Sequence, residues 1–219
     1  MMSQQYAMQD VIGKGANRIC VRDAHDPSVC LKIDLPQHER RVKNLRQKIR
    51  RELSRRFVRF NENYIEWQAY QHLVQRLGQQ TLDPYMARCL SLEQAEHGLI
   101  LYCELVTNAQ GEVARSLYDH MQRSPSQLDP DQVCQALDQF QAWLIQHDIP
   151  LFDLNAGNLV VQSDANGLQL KCIDVKSVLN AKEIIPISYW SKALMHKKIK
   201  RRIGRLKDLV RQHIQKTTI

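Results

Sequence analysis

Residues 151–161 read LFDLNAGNLVV, in which an acid, Asp153, stands five positions ahead of Asn158 and an apolar run follows at once. That run reads as a strand near 159–162, succeeded by a turn at 164–167, a second strand over LQLKCI at 168–173, and then Asp174. A loop this tight can aim a carboxylate and an amide oxygen the same way, just ahead of a buried strand. Aspartate and asparagine also favour ordinary turns and caps, so the spacing alone leaves a plain turn pair open.

Upstream, QLDPDQVCQALDQFQAWLIQHDI predicts the most secure helix. Asp129 is placed as its N-cap, Pro130 takes the first helical position, and Val133, Leu137, Phe140 and Leu144 form one apolar face. His147 and Asp148 close this helix, where a histidine near the C-terminus suits the dipole, and are not read as catalytic.

Before it, MARCLSL and GLILYCELV read as two strands joined by the turn EQAEHG, with Gly111 ending the extended part and a short helix at 112–121. From 39 to 77 there is neither proline nor glycine. Val42, Leu45, Ile49, Leu53, Phe57, Phe60, Tyr64 and Trp67 recur every three or four positions, which predicts helix with an interruption near 61–63. The opening VIGKGANRICVRDAHDPSVCLKI predicts a strand near 8–12, a turn around Gly13 and Gly15, a strand near 18–22, and a third near 28–33 that carries Lys32. The tail is helical, with a stripe of Ile199, Ile203, Leu206, Val210 and Ile214 flanked by basic residues.

The order is glycine turn, lysine on the third strand, helix with acids, two strands, long helix, D-x-x-x-x-N, strand, turn, strand, Asp. It is the part order of an α+β, two-lobed protein-kinase-like fold, here with a truncated helical C-lobe: an N-lobe over 1–106 and a C-lobe over 107–219. The chain resembles the YrbL family, small bacterial kinase-like proteins associated with the PhoP regulatory network. The likeness spans most of the sequence and includes IIPISYWSK after Asp174. FDLNAGNLVV is also similar to the catalytic loop of aminoglycoside and other small-molecule phosphotransferases.

The resemblance implies a phosphotransferase that uses ATP and Mg²⁺. Such chemistry needs cations held by acids, a lysine on the phosphates and a group to orient the incoming hydroxyl. Asp153 would orient that hydroxyl and take its proton, while Asn158 and Asp174 would hold the metal. Lys32 lies among apolar residues, where a lone ammonium is costly, so an acid on the next helix should pair with it. Glu66 is the expected partner and Glu52 the rival. Gly13 and Gly15 would let backbone N–H groups approach the phosphates, although a plain hairpin turn accounts for them equally. Glu104 and Val106, where GLILYCELV leaves its strand, complete the expected nucleotide contacts. For Lys32 the ordinary alternative is an exposed strand-edge lysine.

Departures from the kinase pattern restrict the substrate. The third glycine of G-x-G-x-x-G is Arg18; the arginine before the catalytic acid of regulated kinases is Phe152; the basic residue two positions after it is Asn155. Val175 and Lys176 follow Asp174 in place of Phe-Gly, no A-P-E follows, and 45 residues remain. A small molecule, glycan or lipid headgroup fits such a chain better than a protein acceptor. The second reading is a pseudokinase, a regulatory module that binds a partner.

The net charge of +8 is unevenly spread. Residues 40–59 hold ten Lys or Arg against one acid, residues 192–216 ten more against one, and the remainder has 11 basic and 21 acidic residues. These segments suit an acidic protein or an anionic membrane surface. They lack the interleaved aromatics or base-reading motif that nucleic acid calls for. Six scattered cysteines without C-x-x-C spacing read as buried thiols. The absence of an apolar run near the roughly 18 residues of a membrane span, and of a secretory signal, gives a cytoplasmic expectation.

Overall fold

The structure is a computed structural model that describes residues 11–36, 57–96, 98–123, 128–164, 167–179 and 191–215. The chain divides into two compact units, one of Met1–His72 with Ala87–Leu105, the other of Leu73–Met86 with Val106–Ile219.

The first unit is a five-stranded antiparallel sheet with one helix. Its strands are β1 (Val11–Lys14), β2 (Arg18–Arg22), β3 (Val29–Asp34), β4 (Cys89–Ala95) and β5 (Gly98–Glu104), in the order β1-β2-β3-β5-β4. In β3 the alternation of VCLKI sorts the sheet into two faces. Val29, Leu31 and Ile33 join Ile19, Val21 and Leu35 in an apolar core flanked by Ile100 and Tyr102. Cys30 and Lys32 point to the other face, opposite Cys103 and Leu101 of β5. The expected start of the first strand, near 8, lies outside the described residues; Gly13 lies within β1, beside a break in its register with β2, and the reversal is made by residues 15–17.

Helix α1 (Glu62–Leu77) begins after a single 3-10 turn over Val58–Phe60. Asn61 is extended, and its side-chain oxygen accepts from the backbone N–H groups of Asn63 at 2.8 Å and Tyr64 at 3.2 Å, which makes it the N-cap. The interruption expected near 61–63 is therefore where this helix starts. The expected helix over 39–56 lies outside the described residues.

The second unit is mainly helical. Residues 73–86 group with it, a departure from the expected boundary at 106, because Met86 and the carbonyl of Tyr85 both pair with Cys172 and the Tyr85 ring lies 4.9 Å from Trp143. A four-residue helix α2 (Gln79–Leu82) and a five-residue helix α3 (Leu117–Met121), closed by a Ser116–Asp119 capping box, precede helix α4 (Pro130–Gln146). Asp129 caps α4 as expected, and Val133, Leu137, Phe140 and Leu144 are fully buried. The hairpin β6 (Leu159–Asp164) and β7 (Gly167–Cys172) follows, then helix α5 (Lys192–Gln215). Its Ile199, Ile203, Leu206 and Val210 are buried, and it packs against α4. Where EQAEHG was expected to be a turn, Glu93 to Ala95 extend β4, and Ala95 already pairs with Gly98 of β5.

Candidate functional site

Lys32 and Glu66 are both buried, and Lys32 donates to Glu66 Oε1 at 2.6 Å. The pairing follows from local structure. Lys32 must leave β3 on the face opposite its apolar neighbours, and Glu66 sits one turn past the Asn61 cap on α1, directed at that face. Glu52 lies outside the described residues.

Arg18, standing where the third glycine of the motif would be, enters the same cluster. Its guanidinium donates to Glu66 Oε2 at 2.5 Å and to Asn63 Oδ1 at 3.0 Å, and only 9% of the residue is exposed. One carboxylate thus serves two cations, an arrangement that offsets the cost of burying all three charges only because each is also hydrogen-bonded. Asn63, fully buried, donates to the carbonyls of Lys32 at 2.9 Å and Leu99 at 2.8 Å and so fixes α1 to the sheet. Sequence reasoning took Arg18 only as a departure from the glycine motif and passed over Asn63.

Gly13 and Gly15 have no left-handed φ, so neither is required by backbone geometry. The N–H of Gly15 donates to the carbonyl of Arg18 at 2.8 Å, closing the hairpin, and Gly13 faces Cys20. Glu104 ends β5 with its backbone N–H on the Arg88 carbonyl at 2.9 Å and its carboxylate on the Arg88 N–H at 3.0 Å. In the second unit the buried Val106 accepts from the Ala114 N–H at 2.9 Å.

The second unit gathers Asp153, Asn158 and Asp174 around the start of the β6–β7 hairpin. Asn158 Nδ2 donates to the Asp153 carbonyl at 3.1 Å, and the Asn158 carbonyl accepts from the Ile173 N–H at 3.0 Å, next to Asp174. Asn155 shapes the loop: its Oδ1 accepts from the N–H groups of Gly157 and Asn158, and its Nδ2 lies 3.4 Å from Asp153 Oδ1. The buried Ser177, which the sequence did not single out, accepts from the N–H groups of Phe152 at 3.1 Å and Asp153 at 3.0 Å, tying this loop to the segment after Asp174. The Phe152 ring faces the Lys198 ammonium of α5 at 3.7 Å.

Asp174 is 9% exposed, and its carboxylate receives the Lys176 N–H at 3.2 Å and the Lys176 ammonium at 2.9 Å. Asn158 and Asp174 offer hard oxygen donors of the kind that hold Mg²⁺ when substrate phosphates supply the remaining ligands. Among the described residues no group of three or more His, Cys, Asp or Glu side chains is arranged to hold a metal by itself. Nor, among them, is any helix long and apolar enough to cross a membrane.

The first unit thus carries a lysine on its third strand salt-bridged to the following helix, the pairing found in the small lobe of protein kinases. The family model described as PhoP regulatory network protein YrbL matches residues 5–213. The chain belongs to the YrbL family. No curated protein is detectably similar in sequence to this YrbL-family chain. Among solved structures it is similar to the kinase domain of Mycobacterium tuberculosis PknI. To a single mutant of that domain the identity is 16% and the TM-score 0.44, with 76% of this chain and 57% of that chain covered. To a double mutant the identity is 13% and the TM-score 0.45, with 78% and 60% covered. The YrbL-family chain therefore spans less than two thirds of the length of these kinase domains.

Proposed function

We propose that this YrbL-family chain is an atypical ATP-dependent kinase that transfers the γ-phosphoryl group to a hydroxyl of a small molecule, glycan or lipid headgroup. The observation that supports it most is the buried Lys32–Glu66 pair at 2.6 Å. A carboxylate that fixes a strand lysine in a buried setting is costly to build for stability alone, and it presents an oriented ammonium to phosphate oxygens.

Each residue has a task on this reading. Lys32 neutralises phosphate charge, and Glu66 holds its ammonium in place. Gly13, Gly15, Glu104 and Val106 border the nucleotide. Asp153 orients the acceptor hydroxyl and takes its proton as the new phosphate ester forms. Asn158, through its amide oxygen, and Asp174, through its carboxylate, would hold Mg²⁺, which when bound offsets charge on the phosphate oxygens.

The test is calorimetric binding of ATP with Mg²⁺ or Mn²⁺, followed by turnover on a panel of sugars and lipid headgroups. Asp153→Ala should cost about 10²–10⁴ in rate without abolishing nucleotide binding, as expected of a lost general base. A chain that binds no nucleotide with either cation is not a kinase.

Two observations favour a second reading, a pseudokinase that serves as a cytoplasmic regulatory module, its basic segments at 40–59 and 192–216 engaging an acidic protein or anionic membrane surface. The Lys176 ammonium already neutralises Asp174, and the Gly15 N–H is spent on the Arg18 carbonyl. Nucleotide binding without transfer to any acceptor would support it.

A further inference from the structure

Four of the six cysteines share one face of the first unit's sheet, the face of Lys32. Cys30 of β3 stands opposite Cys103 of β5, Cys103 opposite Cys89 of β4, and Cys20 of β2 opposite Lys32 itself. All are free thiols; Cys30, Cys89 and Cys103 are buried, and Cys20 is half-buried. Cys20 owes its access to its neighbour on β1. That neighbour is Gly13, where even an added Cβ would meet nothing within 4 Å.

The two thiols nearest Lys32 differ in character. A hydrogen bond with Cys20, and after it burial, pushes the Cys30 thiol far up. The same bond, aided by the charges of Lys32 and Arg18 and opposed by burial and Glu66, lowers Cys20 to about 6. Cys20, the one half-buried thiol of the four, has Cys30 as its diagonal neighbour on the adjoining strand.

We propose that Cys20 and Cys30 are a redox-active dithiol that a hydroperoxide oxidises to a reversible disulfide across β2 and β3, distorting the sheet beside Lys32. The Cys20 thiolate attacks the distal peroxide oxygen, the O–O bond breaks, and the released alkoxide takes a proton to leave as the alcohol. The Cys20 sulfenic acid is then attacked by the Cys30 sulfur. An S–S bond forms, the S–O bond breaks, and the hydroxide carries off the Cys30 proton as water, so two electrons pass from the thiols to the peroxide. Because Cys20 faces Lys32 in register, Cys30 is its diagonal neighbour, and such pairs lie roughly 7–8 Å apart, just beyond a relaxed disulfide. Because β2 and β3 are already paired through this stretch, closing the bond shifts one strand along the other at Lys32 and leaves a strained disulfide that thiols readily reduce. The consequence for nucleotide rests on the kinase reading above; the dithiol chemistry does not.

The experiment treats the reduced full chain with hydrogen peroxide and maps the thiols by mass spectrometry. Loss of one H₂ from the intact mass, with a peptide linking Cys20 to Cys30, is expected. Cys30→Ser should stop at a Cys20 sulfenic acid that dimedone labels, and Cys20→Ser should form neither product. A link that joins Cys89 to Cys103 instead, or a Cys20 that oxidises no faster than the other five thiols, overturns the proposal. Mg-ATP binding is then compared before and after oxidation, with a loss on the order of tenfold or more expected, reversed by dithiothreitol. Equal binding by both forms overturns the effect on nucleotide. Failure of the reduced form to bind nucleotide would remove the kinase reading, and the Cys20–Cys30 link would still decide the dithiol.

Discussion

Glu66 joins two cations that reach it from different strands: Lys32 of β3 at 2.6 Å on one carboxylate oxygen and Arg18 of β2 at 2.5 Å on the other. The two substitutions that break the Lys32–Glu66 pair are therefore unequal. Glu66→Ala withdraws the carboxylate from two buried cations and should cost about 3–5 kcal/mol. Lys32→Met leaves Glu66 paired with Arg18 and should cost clearly less. Urea unfolding measures both; equal losses would mean that Arg18 contributes nothing to the cluster.

Arg18→Gly restores the third glycine of G-x-G-x-x-G, which a motif-based view would expect to improve nucleotide binding. The structure leads to the opposite expectation. The substitution removes charged hydrogen bonds to Glu66 and Asn63 and should destabilise the first unit by roughly 1.5–3 kcal/mol. Nucleotide affinity should fall as Lys32 and Glu66 lose their brace. Unchanged thermal stability together with tighter ATP binding would identify Arg18 as a passive residue of β2.

How far these relationships could be read from the sequence depended on periodicity. The α4 face of Val133, Leu137, Phe140 and Leu144 and the α5 stripe were legible because each buries one side of a regular helix. Lys32 was legible because an unpaired ammonium inside an apolar strand demands an acidic partner, and Glu66 was expected over Glu52 through the family resemblance. The glycine turn was misplaced by a few residues because Gly13 weighs as a turn signal, yet the chain reverses only after Lys14, where Gly15 bonds to Arg18. Ser177 and Asn63 left no trace: each acts through backbone groups far along the chain, and neither composition nor spacing encodes such a bond.

Asp148 takes a left-handed φ of 49° just past α4 and pairs with Lys192 and, at 2.9 Å, with His196 of α5. Hydrogen bonds from Lys192 first and His196 second hold its carboxyl below the usual range. A depressed carboxyl stabilises the fold above the unfolded value near 4 and loses that contribution as pH falls through the lower folded value. Asp148→Asn keeps a residue type that tolerates this φ but removes the charge. It should cost less than about 1 kcal/mol at neutral pH, since the pair is partly exposed, and nothing once the pH has fallen well below that lowered value. A stability difference that persists unchanged in acid would show that the charge is not the cause.

The Lys176 ammonium rests 2.9 Å from one Asp174 oxygen while the Lys176 N–H holds the other at 3.2 Å. On the kinase reading this carboxylate must face a divalent cation, and a monovalent one stands in the way. Lys176→Gln removes the competing charge while keeping the backbone bond that orients Asp174. Ending a contact of this kind should tighten Mg²⁺-dependent ATP binding by about 1–2 kcal/mol, or roughly five- to thirty-fold. Asp174→Asn should abolish the metal dependence in either background. Titration of Mg²⁺ at fixed ATP separates the outcomes. Weaker metal binding by Lys176→Gln would mean that the lysine positions Asp174 for the cation and does not compete with it, and its ammonium would then join the residues that hold the phosphates.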